Sequence, residues 1–290
     1  MKESPYRRLD RRDIFDLPYR LTDRDRRIAE SVYEHRVLTT EQVCDLAFTG
    51  QRSTELRLRS LLGLRILERF RPNRALGSAP YHWTLGEAGA ALIAAHRGID
   101  VGDLGWQSDN TVVLATSQRL GHLVGTNGFF TALARESRRR ADCRLTLWWS
   151  EHRCAVEFRG IARPDGYGIW VDGNARTAFH LEYDRGTERL VRLKAKLTGY
   201  ERLAVAMRHA TWVLFRFHSD RRETEARRAL GGTATPVATA VTGPNTSPAD
   251  AIWLPLTGGP RRRLAHLGPA ASSTRGATAS VPPSKEATRE

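Results

Sequence analysis

Two capping-box patterns constrain how the first part of this chain can fold. Thr22 is followed three residues later by Asp25, and Thr39 is followed at the same distance by Gln42. In such a pair each side chain accepts a hydrogen bond from the backbone N–H of the other residue, which favours a helix that begins there. Apolar residues recur at helical spacing after both boxes, and a third amphipathic stretch occupies residues 52–62. The sequence therefore predicts three consecutive helices.

Two strand-like runs and a short helix follow. The runs ILERFRP and YHWTL are separated by the turn-rich loop NRALGSAP, and GEAGAALIAAH has the pattern of a helix. Three helices, a hairpin and a closing helix form the plan of a winged helix-turn-helix. We therefore expect such a domain over residues 21–96, after a flexible basic arm at residues 1–20.

Arginines concentrate where the third helix and the wing would meet DNA. Seven arginines lie between residues 52 and 74, against two glutamates. Guanidinium groups suit contacts to phosphate, and the formal charge of +14 favours an anionic partner such as nucleic acid. A helical unit that binds nothing would also expose arginines, but here the basic surplus coincides with helix and wing. We expect double-stranded DNA to contact Arg52, Arg57, Arg59, Arg69, Arg71 and Arg74.

The rest of the chain divides into three parts. Residues 97–109 have the composition of a linker, and residues 110–230 carry helix and strand patterns, including the apolar run WVLFRF. From residue 231 the chain is rich in Gly, Pro, Ser, Thr and Ala, so residues 231–290 are predicted to be a disordered tail, in which AIWLPL could dock locally. The expected fold class is α+β, a winged helix-turn-helix followed by an α/β domain.

Several classes of protein do not fit the sequence. No apolar run approaches the ~20 residues of a membrane helix, and the charged start MKESPYRRLDRRD lacks the apolar segment of a signal peptide. Three scattered cysteines form no CxxC pair. Neither an HExxH nor a GxxxxGK[ST] motif is present, so a zinc hydrolase and an ATP-driven enzyme are both unsupported. We expect a cytoplasmic protein with no membrane partner.

Two carboxylates on one predicted strand require a compensating charge. Glu182 and Asp184, in FHLEYD, are two residues apart and point to the same face of the strand, where like charges repel. A cation, a bound metal or open water would compensate. Asp165, in RPDG, begins the preceding strand, and the turn DGNA would join both strands as a hairpin. Asp184 has an alternative role at the end of the strand, as a turn residue paired with Arg185 or Arg163.

Carboxylates that converge there would suit a hard divalent cation. Magnesium takes oxygen ligands and keeps positions for water and phosphate oxygens, and it helps to generate hydroxide. Lys194 and Lys196 lie on the next predicted helix, but residues two apart on a helix do not share a face. One of them would stabilise the charged phosphate in the transition state. The candidate ligands of Mg²⁺, or of Mn²⁺, are Asp165, Glu182 and Asp184.

The order of these residues resembles the PD-(D/E)xK nuclease pattern. Pro164 and Asp165 match its first element and Glu182 matches its second, but the third position, a lysine in that pattern, is Asp184. In that superfamily the lysine sometimes lies on the neighbouring helix. The resemblance therefore implies a restriction-endonuclease-like domain over residues 110–230, with its lysine at Lys194 or Lys196.

A longer resemblance, from residue 21 to about residue 203, is to the replication-relaxation family. The segments that carry it include LTDRDRRI, HRVLTTEQV, RPDGYG, LEYDRGTE and KLTGY. Members of that family accompany plasmids and integrative elements and look related to relaxases of the MobC kind, which nick DNA at a transfer origin. The resemblance implies metal-dependent nicking of plasmid or mobile-element DNA in replication or transfer. The alternative is a non-catalytic DNA-binding regulator whose degenerate nuclease-like domain serves homodimer formation or partner docking.

Four further residues are candidates for a functional role, and three of them also have a structural interpretation. Tyr200 shares a helix face with Lys196 and is either a nucleophile for a covalent DNA intermediate or a residue that packs against the sheet. His122 and Asn127, on a long predicted helix, either reach phosphate or water or have structural roles. Glu151, at the end of LTLWWSE, is a candidate additional metal ligand.

Overall fold

A computed structural model describes residues 19–72, 77–107, 109–241, 243 and 246–268. Residues 1–18 of the predicted arm, Arg74 of the predicted DNA contacts, and residues 269–290 of the predicted tail lie outside this part of the chain. The predicted α+β class is confirmed, because the described residues form helices together with a three-stranded and a six-stranded sheet. In the same residues no helix is long and apolar enough to cross a membrane.

The first unit combines helices with a small antiparallel sheet. In chain order its elements are α1 (Asp23–His35), β1 (Leu38–Thr39), α2 (Thr40–Ala47), α3 (Gln51–Gly63), β2 (Leu67–Phe70), β3 (His82–Leu85) and α4 (Glu87–Arg97). The strands are ordered β1-β3-β2. Both predicted capping boxes are present, with Thr22 and Thr39 as the N-caps of α1 and α2. The core of this unit includes Ile28, Val32, Leu58 and Leu61.

The segment predicted to be a linker, residues 97–109, packs against the first unit where it is described. It contains a 3-10 turn at Val101–Leu104, and Leu104 is buried. The hydroxyl of Tyr33 donates to the carbonyl oxygen of Leu104 at 2.9 Å, and the indole N–H of Trp106 donates to the carbonyl oxygen of Leu85 at 3.0 Å. These contacts fix the segment onto the first unit.

The second unit is a mixed six-stranded sheet with helices on both faces. Its elements are α5 (Asn110–Thr116), α6 (Leu120–Arg139), β4 (Cys143–Ser150), α7 (Glu151–Glu157), β5 (Gly166–Asp172), β6 (Ala175–Tyr183), α8 (Leu190–Met207), β7 (Trp212–Phe217), α9 (Asp220–Leu230), β8 (Val237–Val241), β9 (Leu254–Pro255) and a 3-10 turn at Leu264–Leu267. The strands follow chain order across the sheet. Strands β6, β7 and β8 run parallel, and the other neighbours are antiparallel.

Strand β6 shows how the two faces of the sheet are used. Its side chains alternate between the faces. Phe179 and Leu181 pack with Phe130 of α6 in one core. His180 and Glu182 point to the other face, where both meet the side chain of Tyr200 on α8. Glu182, the acidic residue of β6, therefore lies on the face of the sheet toward α8.

Residues 237–268 complete the sheet, so the prediction of a disordered tail is wrong for this segment. Strand β8 pairs with β7, and Trp253 and Leu264 are fully buried in the core on the α6 face. Glu223 of α9, itself buried, is bound by Arg261 at 2.6 Å. The short apolar runs VATAV and AIWLPL place Ala238, Ala240 and Trp253 in the core, although the residues around these runs are rich in Gly, Pro and Thr.

The two units share a packed interface. The side-chain amide of Asn127, on α6, donates to the carbonyl oxygens of His35 and Val37 at 3.1 and 2.7 Å. The imidazole of His35 stacks on the indole of Trp148 with ring centres 3.4 Å apart. Burial lowers the pKa of His35 to about 3, so this ring is neutral. Of the two roles predicted for Asn127, the structure shows the structural one, in which its amide joins the two units.

Candidate functional site

The predicted acids lie at one end of the six-stranded sheet. Asp165 directly precedes β5, Glu182 lies near the end of β6, and Asp184 follows that strand. Gly166 is the register partner of Leu181, and the backbone N–H of Asp165 donates to the carbonyl oxygen of Leu181 at 3.0 Å. The hairpin therefore brings the first two acids to the same end of adjacent strands, as the sequence predicts.

Asp165 links the hairpin to helix α6. One carboxylate oxygen accepts a hydrogen bond from the backbone N–H of Tyr183 at 2.7 Å, and the other lies 3.0 Å from Nε2 of His122. Burial lowers the pKa of His122, but the hydrogen bond to Asp165 and the charge of its carboxylate outweigh burial and raise it above its usual value. His122 therefore lies in direct contact with the acid Asp165.

Glu182 is deeply buried, with 2% of its surface exposed. One carboxylate oxygen accepts from the ammonium of Lys196 at 2.8 Å, and the other accepts from the hydroxyl of Tyr200. Burial, and then the negative charge of Asp165, raise the pKa of Glu182 to about 7 even though Lys196 opposes the shift. Glu182 therefore gains or loses its proton near neutral pH.

Replacing Asp165 by Asn is expected to lower two pKa values for different reasons. His122 loses the anion that stabilises its protonated form, and Glu182 loses the neighbour that repels its charge. The raised pKa of His122 contributes stability that is full below its unfolded pKa of about 6.5 and is lost as the pH rises through the folded value. The Asp165→Asn variant should lack this pH-dependent contribution of His122 to stability.

NMR titration of the His122 imidazole and the Glu182 carboxyl in Asp165→Asn and in the parent chain checks both shifts. If both groups titrate at the same pH in the two proteins, the electrostatic contact among these three side chains is absent.

Lys196 is the lysine that reaches the acids. Its ammonium lies 2.8 Å from Glu182 and 3.0 Å from Glu188. Burial lowers the pKa of Lys196, but the charges of Glu182 and Asp165 outweigh burial and raise it, so the side chain stays cationic. Lys194 is exposed, and in the described part of the chain it forms no ion pair with these acids. The expectation that only one of the two lysines enters the site agrees with this geometry.

Asp184 shares the sheet face with Glu182 but has its own cation. The guanidinium of Arg222, on α9, binds one carboxylate oxygen through Nη2 at 2.7 Å and through Nε at 3.0 Å. The backbone N–H of Gly186 donates to the other oxygen. The side chain of Asp184 is 1% exposed. The two acids of strand β6 are therefore compensated by two different cations.

This pair occupies the carboxylate of Asp184, which the sequence named as a third candidate metal ligand. In the described ranges, no three His, Cys, Asp or Glu side chains are grouped so as to hold a metal ion. The structural alternative, an arginine partner, is the observed one, but that partner is Arg222 and neither Arg185 nor Arg163. Asp165 and Glu182 remain as a pair of acids.

Tyr200 packs in the interior, and Glu151 is paired with an arginine at the surface. Tyr200 is 4% exposed, and its ring packs on that of His180 with centres 5.0 Å apart. Burial and the adjacent charge of Glu182 raise the pKa of Tyr200 well above its usual value. A buried phenol that resists ionisation is poorly suited to attack phosphorus. Glu151 forms an ion pair with Arg119 at 2.9 Å.

The arginines of α3 that the sequence predicts to contact DNA are not equally free to do so. Arg52 is exposed, and Arg59 is exposed beside Glu55, 3.6 Å away. Arg57 instead binds Asp25, a fully buried carboxylate, through Nε at 2.8 Å. Removing Arg57 would leave that charge unpaired, so this arginine has a structural role that the sequence did not reveal.

Two predicted contacts on the hairpin are stacked on one aromatic ring. The guanidinium carbons of Arg69 and Arg71 lie 4.0 and 3.7 Å from the ring centre of Tyr81. Such stacking restrains both side chains at the surface. Arg74, the last residue of the predicted set, lies outside the described residues.

These features define an α+β protein with an acid–lysine cluster at the end of a mixed sheet. A family model described as replication-relaxation matches residues 30–212, which is more than half of the chain. The chain therefore belongs to the replication-relaxation family, as its motifs indicated. Comparison with curated proteins and with solved structures gave no significant match.

Proposed function

We propose that this chain is a DNA-binding protein that acts in the replication or transfer of a mobile element and nicks DNA with the help of a divalent metal ion. One observation carries the proposal. Asp165, Glu182 and Lys196 meet at the end of a mixed sheet, in the acid, acid and lysine roles of a PD-(D/E)xK nuclease. The description of the family, replication-relaxation, supports an action on DNA.

The first unit is proposed to bind the duplex as a winged helix-turn-helix. The order of α1, β1, α2, α3 and the hairpin β2–β3 fits that plan. Helix α3 would offer Arg52 and Arg59 to DNA, and the hairpin would offer Arg69 and Arg71. Arg57 is left out of this set because it neutralises Asp25. Contacts of arginine to phosphate would position the protein on DNA.

The remaining acids fit a magnesium or manganese ion. Magnesium is commonly held by one or two carboxylates, with waters and substrate phosphate oxygens completing its shell. Asp165 lies close enough to Glu182 for its charge to raise the pKa of Glu182. These two residues would hold the ion, without Asp184. When bound, it would polarise the scissile phosphate and lower the pKa of an attacking water.

The side chains around the acids have distinct proposed roles. Glu182 must be ionised to hold a cation, and because its pKa is raised, a metal ion would compete there with a proton. Lys196 stays cationic and would stabilise negative charge on the phosphate. His122, held by Asp165, would donate a hydrogen bond to a phosphate oxygen. The backbone N–H of Tyr183 keeps Asp165 in position.

A non-catalytic DNA-binding regulator is the second candidate, and the closed hydrogen-bond network favours it. Both carboxylate oxygens of Glu182 accept bonds from protein donors, and so do both carboxylate oxygens of Asp165. Lys196 already neutralises Glu182 without a metal ion. In this case the cluster would stabilise the second unit, which would serve dimerisation or partner docking.

Nicking of supercoiled DNA that carries the candidate origin of the host element separates the two functions. Mg²⁺ or Mn²⁺ is supplied or chelated, and Asp165→Asn, Glu182→Gln and Lys196→Ala are compared with the parent chain. Each substitution should lower the nicking rate by about 100-fold or more, because the first two remove carboxylates that would hold the metal ion and the third removes the cation that would stabilise the phosphate. Lys194→Ala, on the same helix but exposed, should retain the rate.

Binding to the same DNA and circular dichroism serve as controls for folding. Metal-dependent nicking that Lys194→Ala keeps and the three cluster variants lose would support the nuclease. DNA binding without nicking, unchanged in all variants, would reject catalysis and leave the regulator.

A further inference from the structure

A cavity of about 310 Å³ lies between α1, the start of α3 and helix α6. Its lining residues include three arginines and two hydroxyl side chains, and no carboxylate is among them. They are Arg24, Phe48, Thr49, Ser53, Arg57 and Arg138, together with Ala47. We call this space the arginine cavity. Its volume accommodates a tetrahedral oxyanion with attached groups.

Each arginine of the cavity is held by a contact that fixes its guanidinium. The guanidinium of Arg24 lies 4.4 Å from the ring centre of Phe48. Arg138 donates through Nη1 to the carbonyl oxygens of Cys44 and Phe48, at 3.0 and 2.6 Å. Arg57 is bound by Asp25. Side chains restrained in this way lose little conformational entropy when an anion binds.

The cavity carries a net positive charge. Asp25 neutralises Arg57, but in the described residues neither Arg24 nor Arg138 forms an ion pair within 4.0 Å. The carboxylate of Asp45, which is paired with Arg135, acts on Arg138 only from a greater distance. Helix α3 begins beside the cavity, and its N-cap, Gly50, offers no side-chain cap. The positive end of that helix adds to the charge of the two arginines. An anion of matching size would therefore be attracted and hydrogen-bonded there.

We propose that the arginine cavity binds one phosphate group of the DNA backbone. The inference rests on the proposed DNA binding and deepens it, because it adds Arg24 and Arg138, which are not among the predicted DNA contacts, as anchoring residues. Arg24 belongs to the first unit and Arg138 to the second. A phosphate held between them contacts both units, so DNA bound there bridges the winged helix and the domain that carries the acids. Guanidinium groups are well suited to phosphate oxygens.

The test measures binding of the full chain to labelled duplex DNA across a range of NaCl concentrations. Arg24→Gln removes one cavity charge from an exposed side chain, so the fold should be retained. Arg27→Gln removes the same charge from an exposed residue of the same helix that does not line the cavity. Arg24→Gln should lower the slope of log K against log salt by about 0.9, and Arg27→Gln should leave the slope near that of the parent chain.

Equal slopes for the parent chain and Arg24→Gln would overturn the cavity as a DNA phosphate site, while the proposed DNA binding would stand. If the parent chain binds no DNA, both the proposed function and the proposal that the cavity holds a DNA phosphate are rejected.

A second arm distinguishes a free phosphate from a DNA phosphate. Inorganic phosphate is added while the melting temperature is followed, with sulfate-free buffer as the reference. If phosphate stabilises the parent chain and not Arg24→Gln, the cavity binds phosphate itself, which supports the recognition chemistry. If phosphate changes the melting temperatures of both proteins equally, the cavity does not bind phosphate through Arg24.

Discussion

A chain that ends at Gly231 is expected to lose the fold of its second unit, although the sequence predicts that everything after this residue is a disordered tail. The deletion removes β8 and β9, so β7 becomes an exposed edge strand. It also removes Trp253 and Leu264, which are fully buried in the core on the α6 face. Burial of each such side chain stabilises a protein by about 1.5–3 kcal/mol.

The same deletion leaves a charge without its partner. Glu223 is 3% exposed and is bound by Arg261 and by the hydroxyl of Thr239. Both partners lie in the deleted segment. Together with the lost apolar burial, this is comparable to the total stability of about 5–15 kcal/mol that a typical domain has. We therefore expect unfolding of the sheet rather than a modest loss of stability.

Near-ultraviolet circular dichroism and amide hydrogen exchange of strands β5 to β7 measure this effect. The matched control is a chain that ends at Gly268, since it keeps every contact of the described residues and should melt like the full chain. If the chain that ends at Gly231 retains the near-ultraviolet signal and the protection of these strands, residues 237–268 are dispensable for folding.

The features that the sequence predicted well depend on short-range physical rules. Capping boxes depend on residues three apart, so Thr22 and Thr39 identified the starts of α1 and α2. A tight hairpin aligns neighbouring strands, so Asp165 and Glu182 were expected at one end of the sheet. Helical periodicity restricted the site to one of two lysines. It could not select Lys196, because the phase of α8 depends on how the helix packs against the sheet.

The features that the sequence did not predict depend on contacts between distant residues. Arg222 lies 38 residues after Asp184, in the basic run RRETEARR, and no local pattern distinguishes it from its neighbours. Asp25 likewise meets Arg57 only through tertiary packing of α1 on α3. The ordered tail was missed for another reason. Composition averages over a long window, and the short apolar runs that join the core contribute little to that average.

Replacing Arg222 by Ala is expected to lower the free energy of unfolding by about 3–5 kcal/mol. Its partner Asp184 is 1% exposed, and Arg222 itself is 12% exposed, so water reaches neither well. Without the guanidinium, a buried carboxylate keeps only the N–H of Gly186 and loses its compensating charge. The neighbouring Arg221 is the control. Its side chain is 90% exposed and pairs with Glu225, so Arg221→Ala should change stability by less than about 1 kcal/mol.

Urea denaturation of both variants measures the difference, and a double variant identifies its cause. Asp184→Asn combined with Arg222→Met removes both charges while keeping an acceptor for Gly186, so it should recover much of the loss. Recovery would assign the cost to the unpaired charge. Equal stability of Arg222→Ala and Arg221→Ala would mean that the Asp184–Arg222 pair contributes nothing to folding.

The same substitution should also disturb the acid–lysine cluster. Arg222 donates a hydrogen bond to the carbonyl oxygen of Glu188, and the carboxylate of Glu188 lies 3.0 Å from the ammonium of Lys196. Loss of the guanidinium frees this loop, so Lys196 loses one of the two carboxylates that hold it beside Glu182. Asp184 is therefore connected to the candidate site through Arg222 and Glu188.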